Sequence, residues 1–139
     1  MDTLQIIVIQ IGTQYFGVQI TQLKKIVWTD KITENIKMGN PFVTRMLSLD
    51  DQNIPVFDIH KKLKIEHLEK SSNLFAVCST SGKLTAFCVD AVNNSYEIPI
   101  QNLKPIPPVG STSKGLIKGI ITMGKHILLM LDLSQLCEE

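Results

Sequence analysis

Two short stretches, Ile54-Pro55-Val56-Phe57-Asp58-Ile59 and Leu128-Leu129-Met130-Leu131-Asp132-Leu133, follow the same plan and decide the fold. In each of them an apolar run typical of a β-strand ends at an aspartate, and a short amphipathic segment follows. Aspartate is a preferred N-cap residue, so we expect Asp58 and Asp132 each to begin a single helical turn. The same order of features at two places in one chain indicates an internal repeat.

The repeat extends upstream of both aspartates, although the identity between its two copies is low. Each copy contains the second strand of a hairpin (residues 16–23 and 86–92), an isolated strand, a proline-bearing connection and a further hairpin. Short strands that close on themselves remove exposed sheet edges, and two such units would share apolar faces that neither buries alone. The sequence therefore predicts an all-β protein of two small β-barrels around a shared core, with short connecting helices. The groove between the barrels is the default binding surface.

Four clusters of turn residues separate pairs of apolar runs. They are Gly12-Thr13-Gln14, Asp50-Asp51-Gln52-Asn53, Ser79 to Gly82 and Gly124-Lys125-His126. Such clusters are the signature of β-hairpins, so we expect four or more antiparallel hairpins.

The composition fits a single domain over residues 1–139 and argues against several classes of function. The formal net charge is +1, from 14 basic and 13 acidic side chains, so the chain lacks a positive field that would attract nucleic acid or anionic lipid. The N-terminus has no basic region or cleavage site of a signal peptide, and no window approaches the roughly eighteen apolar residues of a membrane span. We expect a cytoplasmic protein that does not bind nucleic acid and does not insert into a membrane.

Residues that could carry enzymatic or metal chemistry are scattered. The histidines, His60, His67 and His126, are predicted to be solvated, and no pair of them has the spacing of metal ligands. The glycine- and serine-rich stretch from Gly110 to Gly115 lacks the Gly-Lys-Ser/Thr ending of a phosphate loop. We therefore predict no catalytic residue, no metal site and no cofactor.

Cys78 and Cys88 flank a hairpin turn, and a register centred on that turn pairs Cys78 with Thr85 and Cys88 with Phe75. The two cysteines are then about 10 Å apart along the ladder, which is beyond the reach of a disulfide. Together with Cys137 they make an odd number, so we expect buried free thiols in a reducing compartment.

The order of these motifs resembles the CheW family of chemotaxis coupling proteins over almost the whole chain, from about Leu4 to Leu136. The motifs that carry the resemblance are Tyr15-Phe16-Gly17-Val18-Gln19-Ile20, Lys31-Ile32-Thr33, Phe42-Val43, Ile54 to Ile59, Val89-Asp90-Ala91-Val92, Leu103-Lys104-Pro105-Ile106-Pro107 and Leu128 to Leu133. The resemblance implies a pair of five-stranded SH3-like barrels around a shared core, without catalytic activity or cofactor. It also implies two partners, the regulatory domain of a CheA-type histidine kinase and the cytoplasmic tip of a chemoreceptor.

The central hairpin departs from the family pattern in charge. Where the family has Asn-Leu-Arg-Gly, this chain has Ser48-Leu49-Asp50-Asp51, and Lys25 aligns with a glutamate of the family's upstream short helix. In the family that acid and that arginine are associated across the groove. We therefore expect Lys25 and Asp50 to form an ion pair of inverted polarity, whose use is partner selection more than stability. The alternative is drift in a paralogue that no longer binds receptors.

Arg45 is a second departure, because the family typically has a glycine before the central strand. A conformation with positive φ would be costly for arginine, so the loop from Gly39 to Arg45 is expected to be reshaped.

We take Lys25, Leu49, Asp50, Asp51 and Arg45 as the candidate partner-binding residues of a non-enzymatic adaptor. The missing Asn-Leu-Arg-Gly favours an alternative, an accessory CheW-like protein of a type IV pilus (twitching motility) or other chemosensory pathway that has lost standard receptor binding. A third class, an oligonucleotide-binding barrel, requires a basic groove with interleaved aromatic residues, and the aromatic residues of this chain are too dispersed for it.

Overall fold

The computed structural model of the chain describes residues 2–34, 36–37, 39–66, 73–80, 82–105 and 116–135. The strands within these residues are β1 (Thr3–Ile11), β2 (Gln14–Gln19), β3 (Leu23–Trp28), β4 (Ile32–Glu34), β5 (Val43–Leu49), β6 (Gln52–Phe57), β7 (Leu74–Thr80), β8 (Lys83–Cys88), β9 (Ala91–Pro99), β10 (Leu103–Lys104), β11 (Ile117–Met123) and β12 (His126–Leu131). Helix α1 (Ile59–Leu63) and short 3₁₀ helices at Ile20–Gln22, Ile100–Asn102 and Leu133–Gln135 connect them. The predicted all-β class with short connecting helices is confirmed.

The strands form two sheets, and each sheet takes strands from both copies of the repeat. The first sheet has the order β10-β11-β12-β2-β1-β9, and the second has the order β3-β7-β8-β6-β5-β4. We call the first the terminal barrel and the second the central barrel. The hairpin β1–β2 of the first half lies between β12 and β9 of the second half, and the hairpin β7–β8 of the second half lies between β3 and β6 of the first. Neither half therefore forms a complete sheet by itself. Each sheet has six strands where five were predicted, because the short edge strands β4 and β10 add one to each.

Each of these two exchanged hairpins is joined to a strand of the other half by a parallel pairing, and the two pairings are at equivalent places. Strand β12 runs beside β2 with Leu131 opposite Val18, and β6 runs beside β8 with Phe57 opposite Phe87. The four predicted turns coincide with the four antiparallel hairpins β1–β2, β5–β6, β7–β8 and β11–β12. The repeat is therefore visible as a structural symmetry between the two barrels.

Asp58 and Asp132 occupy equivalent positions directly after β6 and β12. The backbone amide of each donates a hydrogen bond of 2.7 Å to the carbonyl of the residue that precedes β5 or β11. The Asp58 carboxylate accepts the N–H of Lys61 at 3.1 Å and caps α1, and the Asp132 carboxylate accepts the N–H of Ser134 at 3.1 Å. Both aspartates begin a helical turn, as predicted.

The pKa of the Asp132 carboxyl reflects two opposed effects. Burial raises this pKa, but hydrogen bonds from Ser134 and from the Gln22 side chain, with the charge of Lys118, lower it by more. The net result is a pKa below the ordinary value for aspartate.

The apolar core has three parts, which correspond to two barrels around a shared centre. The shared part joins both sheets through buried residues that include Ile9, Phe16, Val18, Val43, Phe57, Phe87 and Leu131. The terminal barrel encloses Ile6, Val8, Ile98, Ile121, Leu128 and Met130. The central barrel encloses Leu47, Ile54, Val56, Phe75, Val77, Ala86 and Cys88. Each sheet thus buries side chains inside its own barrel and contributes others to the shared part.

The cysteine predictions are confirmed where the structure describes them. Cys78 pairs with Thr85 and Cys88 with Phe75, in the register expected from the turn. Both thiols are buried and neither forms a disulfide within the described residues, and the Cys78 Sγ lies 3.1 Å from the Thr85 hydroxyl. Cys137 and His67 lie outside the described residues.

Candidate functional site

The β5–β6 turn places two carboxylates at one end of the central barrel. Leu49 pairs with Gln52, so Asp50 and Asp51 form a two-residue turn, and both have positive φ, at 49° and 62°. A tight hairpin with positive φ at both central positions favours Asn, Asp or Gly, because short polar side chains tolerate this conformation. The turn is therefore a rigid tip, and the Asp50 side chain is 79% exposed.

Lys25 meets this tip from the opposite edge of the same sheet. It lies in β3 opposite Val77 of β7, and not in a short helix as the alignment with the family suggested; the 3₁₀ helix Ile20–Gln22 ends before it. Its Nζ is 3.4 Å from Asp50 Oδ2. The expected contact between Lys25 and Asp50 is present, and it spans the opening of the central barrel between β3 and the β5–β6 turn.

The exposure of this ion pair limits its contribution to stability. The Lys25 side chain is 47% exposed, and exposed pairs of this kind contribute about 0–1 kcal/mol. Beneath the pair, Leu49 packs against the core of the central barrel. Asp51 is exposed and has no ion-pair partner among the described residues. The structure thus brings four of the five candidate residues together.

Arg45, the fifth candidate residue, lies elsewhere. It is in β5 opposite Val56, and its guanidinium carbon is 5.7 Å from the centroid of the buried Phe75 ring. Arg45 is four positions before Leu49, a distance of about 13 Å along the strand. The φ of Arg45 is not positive, and the local adjustment is a β-bulge at Thr44. Arg45 therefore closes the interior of the barrel by a cation–π contact away from the charged tip.

The prediction that all three histidines are solvated is wrong for His60. This side chain in α1 is 1% exposed, and its Nε2 lies 2.9 Å from Asp90 Oδ2. The same carboxylate oxygen accepts the backbone N–H of Gly12 at 2.5 Å. The contact ties α1 to the β1–β2 turn and to the segment between β8 and β9. His126, by contrast, is exposed as predicted.

Sequence reasoning missed the His60–Asp90 pair because the partners are 30 residues apart in the chain. A lone histidine in a short helix carries no signal of burial. The one hint in the sequence was the glycine at position 12. In the structure its φ is +62°, and an added Cβ would lie 2.5 Å from Ile65 Cγ2. That glycine marks a close approach of the β1–β2 turn to the chain after α1.

Trp28 is a further residue that the sequence did not single out for binding. It ends β3, an edge strand, and is 74% exposed. Its neighbour across the ladder is Leu74, which packs against the shared core. A large exposed aromatic side chain on a sheet edge is the type of residue found at protein interfaces.

The described residues contain neither a cluster of metal ligands nor a membrane-spanning helix. No group of three or more His, Cys, Asp or Glu side chains in this part of the chain is arranged to hold a metal ion. Within the same residues, no helix has both the length and the apolar character needed to cross a bilayer.

Comparison with known proteins identifies the fold and the family. A search of curated proteins gave no match. A solved structure of the scaffolding protein TtCheW from Thermoanaerobacter tengcongensis superimposes with a TM-score of 0.87, over 99% of this chain and 94% of that chain, at 23% sequence identity. At that identity the likeness concerns the fold alone. The family model of the CheW-like domain, however, matches residues 5–139, which is nearly the whole chain, and the chain therefore belongs to the CheW-like family.

Proposed function

We propose that this chain is a cytoplasmic, non-enzymatic adaptor that couples chemoreceptors to a CheA-type histidine kinase in chemosensory signalling. Membership of the CheW-like family supports the proposal, and the similar structure from Thermoanaerobacter tengcongensis is that of a scaffolding protein. The two partners are the regulatory domain of the kinase and the cytoplasmic tip of a receptor. The single observation that supports the position of the docking site is the Lys25–Asp50 contact on the tip of the central barrel.

The charged tip has the properties of a specificity element. Asp50 and Asp51 are held on a two-residue turn, so binding need not order a flexible loop. Charged groups on an exposed rim contribute mainly to association rate and to rejection of wrong partners. Because this tip carries acids where the family has Arg-Gly, its preferred partner surface is basic opposite Asp50 and Asp51.

Such a domain couples its partners by positioning them and by shifting the conformational equilibrium of the kinase. Binding positions the kinase relative to the receptor and biases its equilibrium between active and inactive states. This requires contacts that differ between those two states, and it requires no reaction at the adaptor.

A second candidate function follows from the same departure in charge. The replacement of Asn-Leu-Arg-Gly by Ser48-Leu49-Asp50-Asp51 favours an accessory CheW-like protein of a type IV pilus or other chemosensory pathway. Such a protein retains the kinase partner and has lost standard receptor binding. The two candidates therefore differ in one measurable property, the affinity for the receptor tip.

Isothermal titration of the chain with the purified kinase regulatory domain, and separately with a receptor cytoplasmic fragment, tests both candidates. We expect Lys25→Glu and Asp50→Arg to weaken kinase binding by at least about tenfold, because each places like charges at the tip and alters the surface offered to the partner. Lys37→Glu, at another exposed position, is the matched control and leaves binding unchanged.

The outcomes separate the hypotheses. Binding to both partners supports the coupling adaptor, and binding to the kinase alone supports the accessory protein. If neither domain binds while a paralogue binds both under the same conditions, the adaptor function is refuted. If the wild type binds and the two tip substitutions have no effect, the function stands and the assignment of the tip as docking site is wrong.

A further inference from the structure

The four edge strands of the two sheets are not equally protected against pairing with another chain. Strands β4 and β10 have only three and two residues, and β3 carries the exposed lysines Lys24 and Lys25. Short length and lysine side chains both keep an edge strand from pairing. The fourth edge, β9, has nine residues, no lysine and five consecutive exposed positions, 93–97. Of the four edges, β9 is therefore the one best able to accept a further strand.

Two backbone hydrogen bonds show which residues of β1 are directed at the β9 side. The carbonyl of Gln10 accepts the N–H of Asp90 at 2.8 Å, and the carbonyl of Asp2 accepts the N–H of Ile100 at 3.1 Å. The direction of the backbone groups alternates from one residue to the next along a strand. The backbone groups of even-numbered residues in β1 are therefore directed at β9, and those of odd-numbered residues are directed at β2.

The same alternation assigns the outward groups of β9. Tyr96 and Ile98 lie opposite even-numbered residues of β1, so their backbone groups are directed inward. Ser95, Glu97 and Pro99 lie opposite odd-numbered residues, and their backbone groups are directed at the outer edge of the sheet. Pro99 has no N–H to offer there, which fits the positions where strands tolerate proline. Among the described residues, nothing pairs with the outward N–H and C=O groups of Ser95 and Glu97.

The free part of this edge has defined ends. A register shift places Asn93 and Asn94 opposite a single residue of β1, which is a β-bulge, and Pro99 ends the strand. The segment left for pairing is residues 95–98. Its two residues with outward groups lie on either side of Tyr96.

We propose that β9 pairs with β9 of a second copy of this chain, antiparallel and about a two-fold axis at Tyr96. In this register Ser95 of each copy exchanges N–H···O=C hydrogen bonds with Glu97 of the other. The two Tyr96 side chains lie opposite each other, and cross-strand aromatic pairs stabilise a sheet. The terminal-barrel sheets of the two copies then form one continuous sheet. The contact uses the same surface of both copies, so it closes at a dimer, and it does not depend on the kinase or the receptor.

Other registers of the same strand are less favourable. A two-fold axis at Glu97 would place two carboxylates directly opposite each other and would pair Ser95 with Pro99, which lacks an N–H. An axis at Ser95 would pair Glu97 with Asn93, which lies in the bulge. The axis at Tyr96 avoids both problems, because each Glu97 then faces the short polar side chain of Ser95.

The side chain of Tyr96 gives the contact an apolar component. It is 39% exposed and lines a cleft of about 970 Å³, which Ile98 and Leu128 from the core of the terminal barrel also line. A strand added beside β9 brings the second Tyr96 to the mouth of this cleft. The net charge of +1 means that no overall repulsion opposes contact between two copies.

Sedimentation velocity of the purified full chain, at concentrations up to about 1 mM, tests the proposal. We expect the average mass to rise from the 15.5 kDa of one chain towards twice that value. Ser95→Pro should weaken the association at least about tenfold, because it removes an outward N–H from each copy at a position where an edge strand tolerates proline. Ser95→Thr keeps this N–H and is the matched control, which should associate at least as strongly as the wild type. An unchanged thermal unfolding midpoint in dilute samples shows that the variants are folded.

Charge substitutions at the same position test the register. Lysine at position 95 would face Glu97 of the other copy at both ends of the contact, and glutamate there would face it with like charge. We therefore expect Ser95→Lys to associate at least about tenfold more tightly than Ser95→Glu at low ionic strength, with a difference that shrinks as salt is added.

Cross-linking locates the axis independently. In a Cys137→Ser background the remaining native cysteines are the buried Cys78 and Cys88. Tyr96→Cys should then form a disulfide-linked dimer on oxidation, because residues at the axis are directly opposite each other. Ser95→Cys should not, because the two copies of that residue are offset by about 7 Å along the ladder.

Four results would each overturn the proposal. They are a single chain at every concentration, a Ser95→Pro variant that associates like the wild type, equal association of Ser95→Lys and Ser95→Glu, and equal cross-linking of the Tyr96→Cys and Ser95→Cys variants.

Discussion

Replacement of His60 by leucine measures how much the buried contact with Asp90 contributes to the fold. The two side chains are 2% and 8% exposed, with His60 Nε2 at 2.9 Å from Asp90 Oδ2. Leucine removes the partner and leaves a carboxylate that retains the N–H of Gly12 but has little access to water. Removal of one member of a buried pair costs about 3–5 kcal/mol. For a domain of this size that corresponds to a fall in Tm of roughly 10–20 °C.

The double variant His60→Leu with Asp90→Asn distinguishes a buried-charge effect from a simple loss of packing. Asparagine keeps an acceptor for the Gly12 N–H and removes the unpaired charge. We therefore expect the double variant to be more stable than His60→Leu alone, because no unpaired carboxylate is then left buried. Urea unfolding followed by circular dichroism gives the free energy of unfolding for each variant. His126→Leu, at an exposed histidine, is the control and should change it by no more than about 0.5 kcal/mol.

Two results would refute this reasoning. One is a loss of less than about 1 kcal/mol for His60→Leu, which is the size of an ordinary point substitution. The other is a double variant that is less stable than His60→Leu, because removing the charge of Asp90 would then bring no relief.

The remaining predictions concern Asp132, Gly12 and the exchange of hairpins. The folded-state pKa of Asp132 is lowered, so its stabilising contribution is present above the unfolded pKa and is lost as pH falls through the folded value; Asp132→Asn should flatten the acid limb of a stability-versus-pH curve. Gly12→Ala should destabilise by about 1–3 kcal/mol in urea unfolding, because φ is +62° and the added Cβ meets Ile65, whereas Gly82→Ala, which has a similar φ but nothing within 4 Å, should cost less. Residues 1–72 and 73–139, expressed separately, should each lack cooperative unfolding and should regain it when mixed.

Local features of the fold were predictable from the sequence, and partners distant in the chain were not. Turn residues fixed the four hairpins and the pairing of Cys78 with Thr85, because a two-residue turn determines the register of the strands beside it. The helical turns after Asp58 and Asp132 followed from N-cap chemistry. Apolar alternation reports that a strand has a buried face, but it does not say which strand lies beside it. The exchange of hairpins between the two halves, and the burial of His60, therefore required the structure.

The candidate site was also predictable from the sequence only in part. The Lys25–Asp50 contact was expected from a resemblance in sequence, and it is present although Lys25 lies in a strand and not in a helix. Arg45 was included among the candidate residues as a second departure from the family pattern, where the family has a glycine. The Arg45 guanidinium instead lies over the ring of Phe75, which is buried in the core of the central barrel. Proximity in sequence along a strand does not mean proximity at a surface, because each residue adds about 3.3 Å.

The exchange of hairpins bears directly on what an adaptor needs. A scaffold transmits geometry only if its docking surfaces hold a fixed relation to one another. In this chain each barrel is completed by a hairpin from the other half, the shared core contains residues of both sheets, and the His60–Asp90 contact joins α1 to the segment after β8. Rotation of one barrel against the other would have to break the strand pairings of the exchanged hairpins, the shared core and the His60–Asp90 contact. The equivalent ends of the two barrels, with their turns at Asp50–Asp51 and Gly124–Lys125, are therefore held in a fixed relation to each other.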